Sequence, residues 1–128
     1  MPEPGQRFLP RRVPIEAYGA GGFRFGDMSH RGSLLCLPSG MHAWPVRRPV
    51  EIDEAAMAPV LAEAENVGLL LIGTGDDLVP LPEPLRWRFR DAGIGAEVMP
   101  TPAAIRTWNV LLAEDRQVAA ALIAVGAP

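Results

Sequence analysis

Lysine is missing from this 128-residue chain: all 12 basic residues are arginine. With no side-chain primary amine, Schiff-base chemistry and catalysis by lysine are excluded at once. Cysteine is almost as scarce. The single Cys36 permits no internal disulfide, which fits a reducing compartment. His30 and His42 are the only histidines, so the side chains that close a structural zinc site are too few. No run approaches the roughly 20 apolar residues of a membrane-spanning helix. Residues 1–8 lack the apolar stretch of a signal peptide, so the expectation is a cytoplasmic protein without membrane insertion. Positive charge is not in excess either. A net charge of −3 argues against nucleic acid as a partner.

What remains is ordinary globular composition, 48% hydrophobic and 21% charged. Residues 1–22 contain four prolines and end in Gly19-Ala20-Gly21-Gly22, so a flexible Pro/Gly-rich arm is expected over 1–17 and a single α/β domain over 18–128. Tyr18, an aromatic among glycines, is expected to tuck against the body. Phe23 and Phe25 alternate with Arg24 and Gly26, a strand's period of two. Residues 28–32 read as a turn, 33–37 as a short buried strand, and 41–46 as a third strand, together an N-terminal antiparallel meander. Asp53 caps a helix carrying Met57, Val60 and Leu61, broken or restarted near Pro59. The continuous apolar run from Val67 to Ile72 marks a central strand covered on both faces. A helix over 84–90, a strand over 95–99, a helix from Thr101 and a final strand in 118–125 follow. The order predicts a three-layer α/β fold, with helices packed on a mixed central sheet.

The stretch from Met99 to Arg116 leaves a strand and starts a helix, with Thr101 as its hydroxyl cap and Pro102 at the first helical position. At 100° per residue, Ala104, Ile105, Trp108, Leu111 and Leu112 share an apolar arc, while Asn109 and Arg116 fall at its margin and Arg106 further round. Polar groups bordering a core need partners. The nearest are the backbone groups of Gly73-Thr74-Gly75, which end the central strand where α/β proteins often bind ligands. That turn is followed by Asp76 and Asp77 instead of a third glycine and a helix start, so it reads as a structural turn, not a nucleotide fingerprint. Asn109 is therefore expected to hydrogen-bond to the turn, with Arg106 beside it at a shallow cleft. Cys36, among Leu34, Leu35 and Leu37, reads as an inert core thiol. His42 reads as a satisfied edge residue. Arg86, Arg88 and Arg90 read as solvated arginines around two core anchors, Trp87 and Phe89.

Phe23-Arg24-Phe25, the strand with Trp44, Leu71-Ile72-Gly73-Thr74-Gly75 and above all residues 99–122 resemble the small α/β family that includes mitochondrial complex I (NADH dehydrogenase) assembly factor 3. A helix reading Thr-x-Ala-Ala-x-Arg-Thr-aromatic-Asn, with Glu and Arg later, matches at Thr101, Ala103, Ala104, Arg106, Thr107, Trp108, Asn109, Glu114 and Arg116. Ile105 stands where that family often has cysteine, Trp108 where tyrosine is usual, and Asp115 where glycine is usual. The resemblance implies a mixed-sheet fold, no cofactor, no established catalysis, and protein partners during assembly of a respiratory complex. Two functions compete: a non-enzymatic accessory protein, monomeric or a weak homodimer, and a small-molecule or anion binder or enzyme. The second would use Gly73, Thr74, Gly75, Thr101, Arg106, Asn109 and Arg116 as its cleft.

Overall fold

Alternation in two apolar strands creates the layering. Leu70 and Ile72 of β7 (Leu69–Gly73) point to one face, and Leu71 points to the other. Ala119 and Ala121 of β9 (Val118–Leu122) likewise oppose Ala120 and Leu122. Both strands are thus buried on two sides, and their small or branched side chains let helices approach each face. In the computed structural model, which describes residues 5–126, nine strands form two sheets. The larger has the order β1-β6-β5-β9-β7-β8, with β1 at Arg7–Leu9, β5 at Ser33–Leu37, β6 at Gly40–Trp44 and β8 at Gly95–Met99. β9 runs parallel to β7 and antiparallel to β5, so the sheet is mixed.

Three α-helices cover it. On one face, α1 (Glu54–Leu61) and α2 (Glu83–Asp91) seat Met57, Val60, Leu85 and Phe89 against Leu35, Leu37, Leu70 and Ile72. Asp53 caps α1, its carboxylate accepting from Ala56 N at 2.8 Å. Pro59 does not break that helix: it sits on the exposed side, and Ala62 N–H still reaches Ala58 O. On the opposite face lies α3 (Thr101–Ala113), with Trp108 fully buried among Leu34, Leu71, Ala120 and Leu122. Ala104 and Ile105 are buried with it, while Glu114 is exposed, as the helical arc predicts.

The N-terminal third departs from the expected meander. β2 (Ile15–Gly19), β3 (Gly22–Phe25) and β4 (Met28–Arg31) form a separate antiparallel sheet, ordered β2-β3-β4. Phe23 and Phe25 therefore do not pair with residues 33–37 and 41–46, which form their own hairpin within the large sheet. The stretch expected to be a turn at 28–32 is mostly strand; the reversal is tighter, at Gly26 and Asp27, both with positive φ. Phe23 and Phe25 point into the Trp108 core, so the small sheet lies over that side of the molecule.

Part of the expected flexible arm, residues 1–4, lies outside the described residues. From Arg7 on the segment is tied down. β1 pairs with β6, and Val13 and Ile15 are buried in the Trp108 core. Trp108 Nε1 donates to Val13 O at 3.1 Å, and Arg12 donates to Arg116 O at 2.8 Å. The prolines interrupt regular pairing without freeing the chain, because Val13 and Ile15 straddle Pro14 and bury the same face. Tyr18 does not tuck in; it is 45% exposed.

Candidate functional site

The C-terminal end of β7 is where the sheet, α3 and β9 converge, and Thr101 closes it. Its hydroxyl accepts from Gly75 N at 2.9 Å and donates to Ile123 O at 2.8 Å, while its backbone N–H donates to Gly75 O at 2.8 Å. Thr101 does not cap α3, as the sequence suggests; Pro100 holds the cap position, and the hydroxyl points into the strand ends instead. Gly73 makes this approach possible. A Cβ there would lie 2.8 Å from Thr101 Oγ1 and 2.9 Å from its Cα. Gly75, at φ +98, turns the chain back under the helix. Thr74 Oγ1 donates to Asp77 O at 2.6 Å and accepts from Val79 N at 3.1 Å, ordering the loop that follows. Gly73, Thr74, Gly75 and Thr101 are all buried and fully occupied by one another and by neighbouring backbone.

The other three candidates stand elsewhere. Asn109 does not reach the turn. Its Oδ1 accepts from Ile15 N and its Nδ2 donates to Ile15 O, both at 2.9 Å, so the amide takes the place of a pairing strand beside the start of β2. Arg106 is exposed, and its side chain makes no hydrogen bond or ion pair among the described residues. Arg116 is exposed near the far end of α3, its guanidinium 3.9 Å from Glu114. A groove of about 430 Å³ does border the turn, but Asp76, Asp77, Arg47 and Ile123 line it, not Arg106 or Asn109. Among the described residues, no buried side-chain nitrogen or oxygen lacks a partner.

Two histidines occupy different settings. His30 is buried beside Phe8 and donates from Nε2 to Ser33 O at 3.0 Å; burial lowers its pKa, outweighing that bond. His42 meets Ser39 Oγ at 2.8 Å, and that hydroxyl donates to Glu63 at 2.6 Å. Burial lowers the His42 pKa, against the raising pull of the Glu63 carboxylate. The serine here bridges acid and imidazole, the reverse of a triad in which the imidazole activates the hydroxyl. Burial pushes the Cys36 thiol up, which suits an inert core residue. Among the described residues, no three of His, Cys, Asp and Glu converge as metal ligands would.

Sequence reasoning missed one exposed feature. Trp87 is not a core anchor: it is 52% exposed, with the Arg90 guanidinium 5.2 Å from its ring centre, while Phe89, with Leu85, fills the core from α2. Trp87 and Phe89 stand about 200° apart on the helix, so they could not both face the sheet.

The class these features define is a three-layer α/β protein whose strand-end crevice is closed by its own threonine. A family model for proteins of unknown function (DUF498/DUF598) matches residues 15–123, and the chain belongs to that family. An uncharacterized protein of Rhodobacter capsulatus is 40% identical over 111 residues, covering 87% of this chain and 84% of its own. Human NADH dehydrogenase (ubiquinone) 1 alpha subcomplex assembly factor 3 is 30% identical over 118 residues, 92% of this chain. The chain spans 64% of that human protein's length. The crystal structure of an outer membrane protein from Bartonella henselae superposes with a TM-score of 0.88 at 52% identity, covering 92% of this chain and 99% of that one.

Proposed function

We propose that this chain is a protein-binding accessory factor, acting in the cytoplasm in the assembly of a respiratory or membrane complex. The observation that carries this reading is the similarity to the human assembly factor, which runs through 92% of the chain and so involves the whole fold. The site geometry supports it. The residues that sequence reading offers as a ligand cleft either lock strand ends together or stand apart in solvent, whereas large apolar side chains such as Trp87 and Leu78 are exposed. Exposed apolar groups rimmed by charge suit association with another protein. The free thiol of Cys36, buried and unpaired, is at home in a reducing compartment. Among the described residues, no helix is long and apolar enough to cross a membrane.

The test is affinity capture of the intact chain from native cell extract, with mass spectrometry of both proteins and metabolites. Subunits of one complex should co-purify in defined ratio and survive a moderate salt wash. Capture of a small molecule in near-equal ratio to the chain, with no protein enriched, would contradict the reading.

A further inference from the structure

Strand β8, at one edge of the large sheet, presents unpaired backbone groups above a groove shared with α2. β8 pairs only with β7, in parallel. Gly95 N donates to Gly68 O and Thr74 N donates to Met99 O, both at 3.0 Å, so the odd-numbered residues of β8 turn their backbone groups inward. In a parallel ladder the alternate residues must turn theirs outward. Ala96 and Val98 therefore direct two N–H and two C=O groups away from the sheet, and no partner meets them among the described residues. Their side chains line a groove of about 380 Å³ shared with α2, floored by Phe89 and Ile94.

The rim of the groove sets the chemistry. Trp87 stands 52% exposed along it, with Arg90 against its ring. Arg86 also lines it, and the one carboxylate there, Glu83, accepts from Trp87 Nε1 at 3.3 Å. Arg88, by contrast, leans away to Glu54 at 3.7 Å. Two arginines against one glutamate make this lining positive on a protein whose net charge is −3. Natural edge strands are commonly blunted by proline or by charged side chains. β8 has neither proline nor lysine, and its single charge, Glu97, lies on the face away from the groove.

Resting on the protein-binding reading above, we propose that the β8 edge takes an extended, acidic segment of a partner protein as an added strand. Its backbone pairs with Ala96 and Val98, and the alternate side chains that face α2 are apolar over the groove and acidic at its rim, where the carboxylates meet Arg86 and Arg90. A second copy of this chain fits poorly. Antiparallel pairing of β8 with itself about a two-fold axis would bring the two α2 helices together on the same face, arginine against arginine. Strand addition draws affinity from the backbone and selectivity from alternate side chains, so the charge of those side chains is the discriminating variable.

The probe is acetyl-Val-Thr-Glu-Thr-Val-Thr-Glu-Thr-amide, whose valines and glutamates share one face, titrated into the isotope-labelled full chain and followed by amide and indole NMR shifts. The Ala96 and Val98 amides and the Trp87 indole N–H should shift saturably, and the lysine counterpart of the peptide should bind about tenfold more weakly. Ala96→Pro removes one outward N–H while sparing the β7 ladder, and should abolish binding with the fold retained. The double change Arg86→Glu with Arg90→Glu, both at exposed positions, should reverse the preference towards the lysine peptide, and it decides the matter if Ala96→Pro fails to fold. Equal binding of the two peptides, or shifts confined to another surface, would overturn the proposal. In the extract capture, partners retained equally by wild type and by the charge-reversed chain would overturn the edge while leaving the protein-binding reading intact. Absence of any protein from the wild-type capture would instead count against that reading.

Discussion

Thr101 shows how one hydroxyl can meet the backbone groups at a strand end. At the end of a parallel strand, backbone groups run out of partners, and a ligand commonly supplies them. Here Thr101 Oγ1 accepts from the Gly75 N–H and donates its O–H to Ile123 O, so protein satisfies protein. Thr101→Val keeps the shape and deletes both bonds in a buried setting, and should lower unfolding free energy by about 1–3 kcal/mol in chemical denaturation. Thr101→Ser, which retains the hydroxyl, should fall within about 1 kcal/mol of wild type. Stability of the valine variant equal to wild type would mean that these bonds do not hold the strand ends. The importance of Thr101 is visible in the sequence only as a polar residue at a helix start, a position where capping is the usual explanation.

At the scale of elements, α3 acts as a clamp on the N-terminal segment. Two of its side chains bond there, Asn109 to both backbone groups of Ile15 and Trp108 Nε1 to Val13 O, and Arg116 O, just past its end, accepts from Arg12. Asn109→Ala leaves the Ile15 N–H and C=O without their partner, and the cost should be about 1–3 kcal/mol. Its signature should be local. Hydrogen exchange should quicken at Arg12 to Ala17, while β7 and β9 exchange as in wild type. Uniform acceleration through the sheet, or none at all, would show that the clamp is not a separate unit. The helix itself, its apolar arc, and the two-faced strand at Leu69–Ile72 are legible in the sequence, because their periods lie within a few residues. The partner of Asn109 is not, since Ile15 lies far back in the chain behind Pro14, and local pattern carries no signal across that distance. The small sheet escapes for a similar reason: its strands are short, glycine-flanked and half-exposed, so Met28–Arg31 looks like the turn it adjoins.

At the scale of the whole molecule, three layers bury two apolar clusters on either side of one mixed sheet, and the polar groups inside are matched among themselves. The molecule's distinctive chemistry lies outside, at the β8 edge and along α2, where arginines and an exposed tryptophan border unpaired backbone. In the function proposed above, that surface holds another chain; the likeness to the human assembly factor covers 92% of this chain. The most direct test of that claim is native-gel quantification of assembled respiratory and other membrane complexes in cells with the gene deleted and then restored. The account predicts that at least one complex falls in abundance, that its partial assemblies accumulate, and that the restored wild-type chain reverses both. Unchanged abundance of every complex in the deleted cells would contradict it.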